Sequence, residues 1–393
     1  MPIFDAFPAL LTLTALVLYQ FLPVGRLRVV FLCVISALYI AYLDAGAVVV
    51  ALAMAAFAYI CAMGVQKLNG RVLRRVGMAL GIGGLLSALV YYKYRGLFLG
   101  SLGIVLGGNS VNPLWVPLGI SFLTFRLIAY FVDQQLPRAE RPGLANYALF
   151  VLFFPTFIAG PLERWVTFHR GPTLKVDLNQ AGWALERILY GVAKKIILAD
   201  RLALYLMELG KGPLDPSQRS SWIMFFGFGI QIYLDFAAYS DIAIGLGRLF
   251  GYEIMENFNR PYLARNMADF WRRWHMSLSE WIRVYLFMPI ATRRPSPLRL
   301  HVATLVSMSL CGLWHGAGWN FLFWGAYHGV GISAYHLWAA ARRKSKFIAA
   351  IGQWRAAGWV SMAGTFLYVC LSFVFFSKPM GDALLILRKM IGG

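Results

Sequence analysis

Three apolar runs open the chain, Leu10 to Leu22, Val29 to Leu43 and Ala45 to Val65, with only short connections between them. Each approaches or reaches the roughly 20 residues a helix needs to cross the hydrocarbon of a bilayer. Inside lipid every backbone polar group must be satisfied within the protein, so such a chain folds as helices or as a closed barrel. Barrel strands alternate apolar and polar residues over about 10 positions, and these runs do not alternate. Composition agrees: 59% of the 393 residues are hydrophobic and 14% are charged, too little charge to cover a soluble domain of this length. The fold class is therefore all-α, a polytopic helical integral membrane protein. Further spans are predicted at 77–92, 113–131, 144–160, 183–207, 221–249, 300–314, 318–340 and 357–377, which gives roughly 11 crossings. Gly96 to Gly108 is apolar but short and Gly-rich, so it reads as re-entrant or interfacial. The longest polar stretch, His169 to Gln180, is a loop, and the chain reads as a single membrane domain over 1–393.

Charge sets the expected orientation. Residues 1–9 carry Asp5 and no Lys or Arg, the next connection holds Arg26 and Arg28, the next only Asp44, and the one after it Lys67, Arg71, Arg74 and Arg75. This alternation places the N-terminus outside and the 66–75 loop in the cytoplasm. The first run lacks the basic flank of a cleaved signal peptide. A net charge of +20 arises from 37 Lys and Arg against 17 Asp and Glu. The basic residues lie in connections and in one Trp-rich segment, which fits anionic lipid headgroups and the positive-inside bias rather than nucleic acid. One arginine cluster is reserved for an anionic substrate or an acidic partner at the cytoplasmic face. The cysteines Cys33, Cys61, Cys311 and Cys370 are scattered in apolar runs, with neither a disulfide framework nor metal-ligand spacing.

Two blocks carry candidate chemistry. In Glu256 to Thr292, Asn266 followed by Asp269 reads as a helix N-cap with a first-turn acid. From there Trp271, Trp274, Leu278, Trp281, Tyr285 and Met288 step along one helical face, with Arg272, Met276, Ser279 and Arg283 on another, and Pro289 marks the expected end. Such a helix belongs at the membrane interface, and His275 flanks its Trp stripe. In Ser307 to His328, His315 sits where two apolar runs meet, among Gly312, Gly316 and Gly318. An ionisable group at membrane depth is a functional candidate by default, and near neutral pH imidazole can accept a hydroxyl proton. His328 and His336, farther along the next helix, read as structural. Asp235 and Asp241 lie six apart in an apolar helix, a spacing that puts them on different faces. They are expected to pack against arginines of the 256–294 block.

PLGISFLTF at 117–125, FFPTFIAGPLERW at 153–165, QIYLDFAAYSDIAIGLGRLFG, ENFNRPYLARNMADFWRRWHMSLSEWIR and GLWHGAGWNFLFWGAYHG together resemble the membrane-bound O-acyltransferase family, in that family's order over about 115–340. The wording is similar to the bacterial cell-envelope branch, which includes alginate and other polysaccharide O-acetylation proteins and the teichoic acid D-alanyl transfer proteins. The resemblance implies transfer of an acyl group, acetyl in the first reading, from a cytoplasmic acyl-CoA or acyl-carrier-protein thioester to a hydroxyl of an extracytoplasmic polysaccharide or envelope acceptor. It implies no bound cofactor, a bacterial cell membrane location, and an acceptor or partner acyltransferase outside. It makes His315 the principal active-site histidine and His275 the second characteristic position. Trp319 and Asn320 become candidate oxyanion donors, and Arg272, Arg273, Arg293 and Arg294 candidates for the donor's phosphates. Trp314, Asn257, Trp271 and Trp274 complete the expected substrate-binding set. IATRRPSPLR after Pro289 departs from the O-acetylation pattern and leans toward D-alanyl transfer. A rival of another class is a flippase or transporter whose polar groups line a path.

Overall fold

A computed structural model of the chain describes residues 5–97, 115–136, 143–169, 171, 177–210, 217–293, 295–351 and 356–392. The described residues form helices and connections, with no strand among them. They form two compact units, one of Met1–Leu189 with Ser240–Met255 and the other of Tyr190–Tyr239 with Glu256–Gly393.

In the first unit, α1 (Ala6–Phe21), α2 (Arg26–Lys67) and α3 (Arg71–Leu89) follow the predicted apolar runs. The 42 residues of α2 are about twice what one crossing needs. The backbone leaves the helical region at Asp44, so the two predicted runs meet there without a loop. Asp44 closes the break itself: Oδ1 accepts from the Ala47 N–H, and Oδ2 from the Leu118 N–H and the Trp115 indole. Large apolar side chains stand on the outside, among them Phe21, Val49 and Leu80, a surface suited to lipid. Four described helices are long and apolar enough to cross a membrane: Arg26–Lys67, Arg71–Leu97, Gln218–Leu249 and Ala357–Ser377. Most of the stretch predicted as re-entrant at 96–108 lies outside the described residues, as does much of the 169–180 loop.

After α4 (Ile120–Asp133), the span expected at 144–160 does not form. The chain makes α5 (Leu144–Leu152), breaks at Phe153, and continues as the single turn α6 (Phe154–Phe157). Nine helical residues rise about 14 Å, less than half the hydrocarbon thickness. The chain then returns through α7 (Trp165–Phe168), packing Trp165 on Phe150 and Phe168 on Phe153. Residues 143–146, His169 and Gly171 line one cleft together with Val24–Arg26, so the segment enters and leaves on the same side. Backbone freed at such a break must be satisfied inside the protein. Buried Arg126 does this, donating to the carbonyls of Phe150, Val151 and Thr156 and to the Thr156 hydroxyl. Hydropathy alone cannot distinguish a re-entrant pair from a span, because both are equally apolar.

A long helical stretch, α8 (Leu178–Ala193), a π turn and α9 (Asp200–Gly210), leads to α10 (Gln218–Leu249). The two acids of α10 pair differently from expectation. Within the second unit Asp235 accepts from Lys195, which also meets Asp200; within the first, Asp241 accepts from Arg187 at 2.7 Å. Arg187 and Lys195 both come from the preceding helical stretch.

That block corrects a second expectation. Instead of one interfacial helix it forms α11 (Met267–Trp271), α12 (Met276–Ile282), a π turn and α13 (Met288–Ala291). Asn266 does cap α11, accepting from the Asp269 N–H at 2.8 Å. Trp271, Trp274, Leu278 and Trp281 are buried, whereas Tyr285 is half-buried and Met288 exposed, so the first four residues of the stripe are core rather than interface. Pro289 sits within α13 instead of ending it. The second unit is completed by α14 (Pro297–His315), α15 (Trp319–Lys344), α16 (Ala357–Ser377) and α17 (Met380–Met390). α14 and α15 meet backbone to backbone: a Cβ on Gly312 would strike the Phe321 carbonyl, and one on Gly325 the Met308 carbonyl.

Candidate active site

His315 is the last residue of α14, and the chain turns through extended Gly316 and Gly318 into α15. These two glycines are not in left-handed backbone; what Gly316 supplies is room, since a Cβ there would meet the Phe321 ring. The His315 imidazole is half-buried. Rings of Trp314, Trp324 and Phe376 stand edge-on to it at 4.9, 5.3 and 5.2 Å between centroids. The break between two apolar helices thus leaves one imidazole in an aromatic cage with a route to its surface.

The second imidazole lies 6.4 Å away between centroids. His275 is 1% exposed and adopts φ +44°, a conformation that costs a non-glycine residue about 1 kcal/mol or more. A long-range strand of chain holds it there. Asn259 N–H donates to the Arg273 carbonyl and Met276 N–H to the Asn257 carbonyl, both at 2.9 Å. The Asn257 side-chain oxygen meets Ser277 N–H, the Ser277 hydroxyl and His275 Nδ1. The 256–260 segment therefore takes hydrogen bonds that a continuous helix would have kept, and the helix breaks between α11 and α12. Phe236 closes against the imidazole edge at 4.6 Å. Burial, reinforced by the charge that His315 would carry, pushes His275 well below its ordinary pKa and keeps it neutral.

The remaining predicted site residues divide. Trp314 reaches the cage. Trp319 is 63% exposed and Asn320 donates its amide to the Phe375 carbonyl, so neither has a donor aimed at the two imidazoles. Asn257 is fully buried beneath His275 and supports it instead of facing a ligand. Trp274 stacks on Phe270 in the core. Trp271 donates its indole N–H to His328 Nδ1, and His328 Nε2 meets the Ser372 hydroxyl. Both nitrogens of His328 are thus committed, as expected of a structural histidine. Arg272 and Arg273 converge on Asp269 at 3.1 Å each. Burial disfavours the Asp269 carboxylate, but the two guanidiniums outweigh it and hold its pKa below the usual value. Arg293 lines an open cavity of about 720 Å³ with Ser296 and Arg299 beside the start of α14, and Arg294 lies outside the described residues.

Trp324 and Phe376 were not anticipated. Phe376 comes from the end of α16, far along the chain, and an isolated Phe in an apolar helix carries no local signal. Trp324 lies one residue before Gly325, and its position beside His315 depends on how closely the two glycine-bearing helices approach.

Residues 133–377 match the family model described as the membrane-bound O-acyltransferase family. The chain is similar to a protein of Azotobacter vinelandii named probable alginate O-acetylase, 36% identical over 304 residues, which cover 74% of this chain and 58% of the relative. It is 31% identical over 367 residues to a peptidoglycan O-acetyltransferase of Helicobacter pylori, covering 86% and 68% of the two chains. With a teichoic acid D-alanyltransferase of Streptococcus thermophilus it shares 30% identity over 299 residues, or 70% and 71%. The chain spans little more than half the length of the alginate relatives it matches.

Proposed function

Because the chain belongs to the membrane-bound O-acyltransferase family, we propose that it moves an acyl group, acetyl in the first reading, from a cytoplasmic thioester to a hydroxyl of an extracytoplasmic polysaccharide. The observation that carries this is His315: half-buried at a helix break, caged by aromatic rings, and 6.4 Å from a second imidazole that burial keeps neutral. His315 accepts the hydroxyl proton as the oxygen attacks the thioester carbonyl. The carbon–sulfur bond then breaks, the imidazolium returns the proton to the sulfur, and an ester and a free thiol leave. The donor's phosphates or an acidic carrier are assigned to the Arg293 and Arg299 cavity, with Arg272 exposed nearby in sequence. The protein works in the bacterial cell membrane with its N-terminus outside. This places Asn69 in the cytoplasm, and a cysteine there is expected to react with an impermeant reagent only after the membrane is opened.

The experiment is thiol release from acetyl-CoA by the purified protein, with D-alanyl carrier protein as the second donor. His315→Gln keeps polarity and hydrogen bonding but cannot shuttle a proton near pH 7. Its rate is expected to fall about 100-fold or more while the protein stays folded. A folded His315→Gln protein working at the parent rate overturns the chemistry. Release from the D-alanyl carrier alone redirects it to teichoic acid. Transport of an envelope intermediate without thiol release returns the flippase.

A further inference from the structure

We infer that Asn257 fixes the tautomer of His275, so that Nδ1 carries the proton and Nε2 keeps its lone pair, in a ring that neighbours His315. The functional side of this rests on the transfer chemistry proposed above; the tautomer itself does not.

The argument is one of donors and acceptors. Three groups converge on a single Asn257 side-chain atom: Ser277 N–H at 3.3 Å, the Ser277 hydroxyl at 2.9 Å and His275 Nδ1 at 3.1 Å. A backbone N–H can only donate, so that atom is the amide oxygen and not the nitrogen. The opposite amide orientation would set two donors against each other in a fully buried site, which is costly. An amide oxygen facing Nδ1 requires a proton on Nδ1. A neutral imidazole has one such proton, and Nε2 is therefore left with its lone pair.

The backbone makes this arrangement hard to undo. His275 is locked at φ +44°, and Met276 N–H is tied to the Asn257 carbonyl, so the asparagine and the imidazole are held by the same short pairing. The described ring neighbours of His275 are Phe236, Trp314 and His315, of which His315 is the titratable one. Two imidazoles in one cage thus have unlike assignments. His315 exchanges a proton in each turnover, whereas His275 keeps its own on Nδ1, against Asn257. Asn257 acts through His275 and is a positioning residue.

Two measurements test this. In protein labelled with nitrogen-15 at histidine, His275 is expected to show a protonated Nδ1 and an unprotonated Nε2 at neutral pH; the opposite tautomer overturns the inference whatever the enzyme does. In the pH profile of thiol release, Asn257→Asp keeps an oxygen for Ser277 and His275 but adds a charge that favours the imidazolium. Nε2 then becomes protonated, and the acid limb of the profile is expected to move up by about one pH unit or more, with activity recovering at high pH. Asn257→Leu removes the acceptor and is expected to lower kcat about 10-fold without that recovery. A folded Asn257→Asp protein with an unmoved acid limb overturns the positioning role. Should His315→Gln leave thiol release intact, the transfer reading fails separately, and the spectrum still decides the tautomer.

Discussion

Two of the helix breaks among buried side chains, at Phe153 and at His275, are treated differently. Around Phe153 the freed carbonyls of Phe150, Val151 and Thr156 are collected by one guanidinium, that of Arg126. Around His275 the freed backbone N–H groups go to Asn257, whose oxygen also engages one imidazole nitrogen. The first break spends its charged group on the backbone. The second uses a neutral amide for the backbone and keeps an imidazole turned to a second histidine. Burial and an ionisable side chain are common to both, so those features do not separate support from chemistry. What separates them is where the donors and acceptors go.

The largest test of this contrast is Arg126→Met. It keeps much of the volume but leaves three carbonyls and a hydroxyl without their donor. The expected cost is about 3 kcal/mol or more of stability, read as a lowered Tm in detergent. Arg126→Lys should recover only part, since an ammonium lacks the fork that reaches several carbonyls. If Arg126→Met melts with the parent, the re-entrant segment is held by something else, and the proposed division between the two breaks loses one side.

Much of this was legible beforehand, and the losses have a common cause. The apolar runs marked α2, α3, α10 and α16 because lipid contact leaves an uninterrupted hydropathy signal. The Asn266 cap was visible because its partner, Asp269, is three residues away. His315 stood out because a lone ionisable group between apolar runs is rare. The expected helix through His275 failed because its competitor, Asn257, arrives from outside the window over which periodicity is read. The same distance hid Arg126 beneath 144–160, Lys195 opposite Asp235, and Phe376 beside His315. Periodicity reports which face a helix would bury, but it does not report a partner that arrives from elsewhere and ends the helix.

A smaller effect is expected from a buried acid in the first unit. The Glu163 carboxyl accepts from Met255 N–H at 2.9 Å, and its other oxygen has no hydrogen-bond partner among the described residues. Burial pushes its pKa up from 4.5 to about 7; the Met255 bond and the charge of Arg126 oppose this, and Glu253 adds to it. Unfolded, the carboxyl ionises near 4.5, whereas folded it holds its proton to about 7. The parent is therefore expected to lose stability as pH rises between those values, and to be flat on either side. Glu163→Gln should remove that slope and gain roughly 3 kcal/mol over the parent at pH 8, with little difference at pH 4. Melting curves across that range check it, and parallel slopes for parent and variant would mean that folding does not shift the acid's pKa.

The smallest expected effect separates the two buried histidines of the second unit. His328 accepts from the Trp271 indole at Nδ1, and its Nε2 meets Ser372 at 2.9 Å while the Ser372 hydroxyl donates to the Val369 carbonyl. Nε2 must therefore carry the proton, and no nitrogen is left for a ligand. Ser372→Ala removes one neutral partner, so the expected cost is about 1 kcal/mol of stability. Since both nitrogens of His328 are hydrogen-bonded within the protein and Trp324 packs against both His315 and His328, the acid limb of the transfer profile should stay where it is. Asn257→Asp is expected to give the reverse pattern, a moved limb from a change of similar size. Should Ser372→Ala shift the limb, His328 would join the proton-handling groups, and a fully committed pair of nitrogens would no longer mark a histidine as support.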